Sequence, residues 1–105
     1  MNIQDFEYKC DEAAGFLGLL GSPHRLRLLC LLLEREMPVG ELAEAAGLRQ
    51  AAVSQQLTLL RAHKVVTTRR DGTSVFYSLN HPGARAVIET LHGIYCKPKK
   101  LRGRK

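Results

Sequence analysis

The sequence predicts a mostly α-helical fold with a two-stranded β wing, a winged helix-turn-helix, in a dimeric molecule. Three observations predict it. Val39, Leu42, Ala43 and Ala46, then Val53, Leu57 and Leu60, recur at helical spacing on either side of Gly47, which marks two short helices joined by a turn. The period then switches, because VVTTRR and TSVFYSL are β-branched and aromatic, with Asp71-Gly72 between them as a type I′ hairpin turn. Finally, the chain opens on a seam of Ile3, Phe6, Cys10, Ala13, Leu17 and Leu20 at alternating spacings of three and four. Such a heptad-like seam at the end of a small domain is a dimer contact.

Taken in order, residues 3–20 form the first helix, in which Gly15 and Gly18 weaken the helix but permit close approach of another backbone. Cys10 lies on its seam and reads as a small buried hydrophobe. Gly21-Ser22-Pro23 breaks and restarts the chain, with Ser22 as N-cap and Pro23 as first helical residue. The next helix, HRLRLLCLLLER, places Leu26, Leu29, Cys30 and Leu33 on one face and carries leucine nearly all round. A helix apolar on most sides is buried, so it forms the centre of the core. Arg25 and Arg27 emerge at its start, either towards phosphate or into solvent. The two helices around Gly47 and the wing make a DNA-reading segment, 39–79.

Asn80-His81-Pro82-Gly83 breaks the chain again before a last helix, 83–96, striped by Val87, Ile88, Leu91, Ile94 and Tyr95 and closed by Cys96. The folded domain therefore spans 1–96, with 3–20 and 83–96 as dimerisation helices. The tail 97–105, KPKKLRGRK, is charged and without periodicity, and is expected to be disordered without DNA. It is either a basic arm on the DNA backbone or an expression or solubility feature.

The 105 residues carry a net charge of +6, and its location matters more than its size. Residues 1–96 hold ten basic and ten acidic side chains, so the tail supplies the excess. Within that body, 1–48 have four basic against eight acidic residues, and 49–96 have six against two. Positive potential therefore sits on the helix-and-wing half, where phosphate contacts are made. The helix beginning near Gln50 agrees. With Val53, Leu57 and Leu60 inward, Ala51, Ser54, Gln55 and Thr58 face outward and Gln50 projects from the first turn. These are short, uncharged and rich in donors and acceptors, which suits base edges in a major groove. A merely solvated face, or a protein–protein surface, carries charge instead. Gln50, Ser54 and Gln55 are assigned to bases, and Arg49, Thr58, Lys64, Arg69 and Arg70 to phosphates, the two wing arginines also being placed to enter the minor groove.

No signal peptide is expected, because the apolar run at 26–33 is short and internal. No stretch approaches the ~20 apolar residues of a membrane span. Three cysteines without a CxxC or zinc-ribbon spacing indicate reduced thiols and a cytoplasmic protein, and no cofactor is expected.

The element order, with the strings LGSPHRLRLLCLL, VGELAEAAGL, AVSQQLTLLR and VFYSL, resembles the ArsR/SmtB-type winged helix-turn-helix repressors over about residues 12–96. Within that family, Cys30 and Cys96 resemble the pair of the two-thiol, persulfide- or redox-sensing branch, the BigR-, SqrR- and HlyU-like regulators. The resemblance implies a homodimer on double-stranded operator DNA that lets go when reactive sulfur species or oxidants link Cys30 to Cys96. One departure is Lys64, where the family usually has Gly. A lysine forced to positive φ there costs about 1 kcal/mol.

Two rivals are weaker. Metal-responsive members carry Cys-x-Cys in the helix that here reads VGELAEAAG, or Asp and His on the last helix. His81 and His92 have the family's spacing but stand two residues out of register, with Gly83 and Ile94 at the matching places. Two histidines also fall short of the four ligands of a tetrahedral zinc. A dithiol oxidoreductase needs an activated thiol at a helix N-terminus or in CxxC. Cys30 is mid-helix among leucines, and Cys96 ends a helix, where the dipole opposes thiolate although Lys97, Lys99 and Lys100 favour it. The chain is therefore not expected to be an enzyme.

Overall fold

The computed structural model describes residues 3–96, with side chains from Lys9 onward. The tail 97–105 and the side chains of Ile3 and Phe6 lie outside the described residues. Five helices and three strands follow one another: α1 (Ile3–Leu20), α2 (Pro23–Glu34), β1 (Met37–Pro38), α3 (Val39–Ala46), α4 (Gln50–Ala62), β2 (Val66–Asp71), β3 (Ser74–Leu79) and α5 (Pro82–Tyr95). Ser22 caps α2 by accepting from the Arg25 amide, and Pro23 opens the helix.

The wing has one strand more than the two the sequence predicts. β1 pairs antiparallel with β3, giving the order β1-β3-β2. Two residues leave no alternation to detect, and Pro38 lacks an amide hydrogen but is tolerated on an edge strand. The hairpin turn is also shifted by one residue. Asp71 pairs with Ser74, so Gly72 and Thr73 are the central residues, and only Gly72, at φ 68°, has positive φ. Glycine at the first central position alone is the type II′ arrangement, not the type I′ turn expected at Asp71-Gly72.

The core is built from α2, α3, α4, the sheet and α5: Leu28, Leu29, Leu32, Leu42, Val53, Leu57, Leu60, Val65, Val66 and Ile88 are sealed from solvent. The deepest face of α2 is Leu28, Leu29 and Leu32, whereas Leu26, Cys30 and Leu33 are half-buried, a rotation from the face expected. Leucine on nearly every side of that helix hid the difference.

Arg25 and Arg27 both have partners within the fold that the sequence does not show. Arg25 donates to the Leu19 and Gly18 carbonyls ending α1 and to Gln56 of α4. Arg27 donates to Ala46 O at the end of α3. Arg85 does the same for α2, reaching Leu33 O as well as Leu79 O. None of these three helices has a basic residue in its last turn. The open carbonyls and negative dipole end of each are met by an arginine from another part of the chain.

α5 begins at Pro82, one residue before the expected boundary, and His81 is its N-cap: Nδ1 accepts from the Ala84 amide at 3.0 Å. The same ring stacks on Phe16 of α1 at 5.1 Å. Among the described residues, no single helix is long and apolar enough to cross a membrane.

Candidate nucleic-acid interface and thiol pair

α3 ends at Gly47, whose φ of 69° lets the chain turn sharply into α4. The inward stripe of α4, Val53, Leu57 and Leu60, is fully buried. Arg49, Gln50, Ala51, Ser54, Gln55 and Thr58 are all exposed on the opposite side. Arg49 occupies the N-cap position with extended backbone and makes no side-chain cap bond, so its guanidinium projects freely beside Gln50. Thr58 Oγ1 donates to the Ser54 carbonyl at 2.9 Å. Its outward lone pairs are acceptors, so a phosphate contact requires the hydroxyl to rotate.

α4 closes on Lys64 at φ 61°, where the lysine amide donates to Arg61 O and the Val65 amide to Leu60 O. Those two bonds form a Schellman motif, and Leu60 and Val65, both sealed in the core, supply its apolar contact. Lys64 does adopt the left-handed conformation expected from the sequence. Its side chain is exposed at the junction of helix and wing.

The two wing arginines, one residue apart, differ sharply. Arg69 lies over the Phe76 ring at 4.6 Å, and its Nε donates to both Glu36 oxygens at 2.9 Å, with Nη2 adding a further contact. Asp71 stands 3.9 Å away. The hydrogen bond to Arg69 holds the Glu36 carboxyl below the usual carboxylate range. Arg70 is exposed and has no ion pair among the described residues.

Cys30 and Cys96 border one open groove of about 500 Å³ between α2 and the end of α5, with Leu26, Arg27 and His92 on its rim. All three cysteines are free thiols. Cys30 is half-buried, and burial, with the neighbouring Cys96 charge as a second cause, pushes its thiol pKa up. Cys96 is exposed beyond the last turn of α5. Cys10, expected to be buried, is exposed in the single chain because its face of α1 has no cover there.

His81 and His92 stand apart, one in the cap against Phe16 and one in the thiol groove. Among the described residues, no group of three or more His, Cys, Asp and Glu side chains is placed to hold a metal.

The family model for the bacterial regulatory proteins of the arsR family matches residues 22–68. Over a longer span, the transcriptional activator HlyU of Vibrio cholerae is 40% identical across 97 residues, 92% of this chain and 90% of that protein. The chain belongs to the ArsR family. Another relative within it, the biofilm growth-associated repressor of Xylella fastidiosa, is 39% identical over 100 residues, covering 95% of this chain and 88% of its own. The structure of reduced HlyU from Vibrio cholerae superposes with a TM-score of 0.84 at 39% identity, over 90% of this chain and all of that one. This ArsR-family protein is thus a DNA-binding winged helix-turn-helix transcriptional regulator.

Three residues at these surfaces escape the sequence. Glu36 is 33 residues from Arg69 and belongs to no motif. His92 enters the thiol groove only because it precedes Cys96 by four residues, one helical turn. Arg61 continues the outward face of α4 but falls outside the run of small polar residues that draws attention.

Proposed function

We propose that the protein is a homodimeric repressor of double-stranded operator DNA that releases its operator when reactive sulfur species or oxidants join Cys30 to Cys96. The observation that carries this is the shared groove: two thiols 66 residues apart in the sequence border the same opening between α2 and the end of α5. Gln50, Ser54 and Gln55 face bases, while Arg49, Lys64 and Arg70 take phosphates. Thr58 and Arg69 join them after exchanging their present partners.

The chemistry balances with persulfide as the only reagent. Exposed Cys96 reacts first: its thiolate takes the outer sulfur of a low-molecular-weight persulfide and releases the corresponding thiol. Cys30, held back by burial, follows in the same way. The Cys30 persulfide anion then attacks Cys96 Sγ and expels hydrosulfide, leaving a trisulfide. A further sulfur transfer before closure gives the tetrasulfide. A direct disulfide needs Cα atoms about 4.4–6.8 Å apart, whereas packed helices lie about 8–10 Å axis to axis. A longer sulfur bridge between α2 and α5 relieves that mismatch, so persulfide is the effective inducer and peroxide a poor one.

Mass spectrometry of the persulfide-treated protein tests this. A peptide pair linking Cys30 to Cys96 with at least one additional sulfur is expected. Persulfides that remain separate on the two cysteines after prolonged treatment would count against the bridge.

A further inference from the structure

The underside of the wing holds a cleft of about 720 Å³ that the sequence does not announce. Arg61 from the last turn of α4 and Arg70 from β2 both line it, with the hydroxyl groups of Thr68, Thr73 and Ser74. No carboxylate lines it. Among the described residues, neither Arg61 nor Arg70 has an ion pair or a side-chain hydrogen bond. Two unpaired guanidinium groups beside hydroxyl donors form a seat for an anion with several acceptor oxygens.

The identity of that anion follows from helical phase. Arg61 is seven residues beyond Ser54 and three beyond Thr58, so it projects from the same outward side of α4. A recognition helix meets base edges with its N-terminal residues. Arg61 lies about 16 Å further along the axis than Gln50, where such a helix leaves the groove and passes the phosphate backbone. Arg69 also borders the cleft, but its cross-strand partner is Phe76 whereas that of Arg70 is Val75. Consecutive strand residues point to opposite faces, and the Arg69 guanidinium is clasped by Glu36 on the Phe76 side.

We infer that Arg61 and Arg70 form a backbone-phosphate seat beneath the wing, and that Glu36 withholds Arg69 from it, limiting the grip on DNA of any sequence. The inference rests on the DNA-binding function and adds to it a contact residue, Arg61, and a restraining one, Glu36. In the DNA-free protein the two wing arginines are thus divided, Arg70 open to phosphate and Arg69 held by Glu36 until it exchanges that partner.

The test uses the full chain and a labelled mixed-sequence DNA duplex titrated across a salt series. Arg61→Gln and Arg70→Gln are each expected to flatten the logarithmic salt slope by about one and weaken binding roughly tenfold near 0.1 M salt. Glu36→Gln is expected to steepen the slope and tighten binding by similar amounts. A thermal melt accompanies each variant, and Arg61→Gln is expected to melt as wild type. Wild-type slopes in Arg61→Gln and Arg70→Gln would overturn the seat, and a wild-type slope in Glu36→Gln would overturn the restraint. Failure of the wild-type protein to bind duplex at all overturns the DNA-binding reading itself.

Discussion

Lys64 joins helix capping to a proposed DNA contact. Its φ of 61° is left-handed, the only such non-glycine conformation among the described residues. The Schellman motif requires it, since both capping bonds close around that position. Lys64→Gly removes the Cβ penalty but gains freedom in the unfolded chain, and is expected to raise stability by about 0.5 kcal/mol net. The same change deletes an exposed cation at the helix–wing junction, so DNA affinity should fall as stability rises. Urea denaturation and a salt-dependent DNA titration of one variant measure both, and a drop in stability would contradict the account. Lys64 is legible through the family resemblance, because a glycine usually ends the recognition helix there and this chain has lysine instead. Arg25, Arg27 and Arg69 are not legible in this way. An arginine in a sequence carries its charge but not its partner, and all three find theirs through tertiary packing.

At the scale of elements, most boundaries follow from local chemistry. Ser22-Pro23 opens α2 and Gly47 closes α3, each by a mechanism readable from the residue type. β1 escapes because two residues have no period, and the hairpin register moves because Asp-Gly suits several turns until the strand pairing is known. The buried face of α2 was ambiguous for want of polar residues to mark its outside. His81 is read from sequence as part of a loop and as a misplaced metal ligand, whereas it holds the start of α5 and contacts α1. Gly83 makes room for it, since a Cβ there would meet the His81 ring at 3.1 Å. His81→Ala is expected to lower stability by about 1 kcal/mol, the usual cost of losing an N-cap, and to leave metal content unchanged. Calorimetry checks the first point, and a variant as stable as wild type would show the cap to be incidental.

The whole molecule presents apolar surface that one chain does not cover. Leu17 on α1 is 55% exposed, and Ile94 and Tyr95 at the end of α5 are 64% and 80% exposed. Cys10 and Ala13 extend the α1 face in the same state. We propose that a second copy buries both terminal helices over these residues; such a two-fold dimer presents two α4 helices to successive major grooves about 34–36 Å apart. Tyr95→Asp places a charge in that contact and is expected to shift sedimentation towards monomer at micromolar concentration, with loss of operator binding. Unchanged dimer mass would exclude α5 from the interface. The proposed switch belongs to this scale too. α2 packs on α5, so in the proposed mechanism a bridge from Cys30 draws the end of α5 towards the core and changes the angle between the two recognition helices of the dimer. Only about 1.4 kcal/mol of mismatch is needed for a tenfold loss of affinity. The direct measurement is an operator titration of reduced and persulfide-treated protein, run beside Cys30→Ser treated identically. The account predicts at least a tenfold loss of affinity in bridged wild type and none in the variant. Equal affinity of bridged and reduced wild type, or an equal response of the variant, would contradict it.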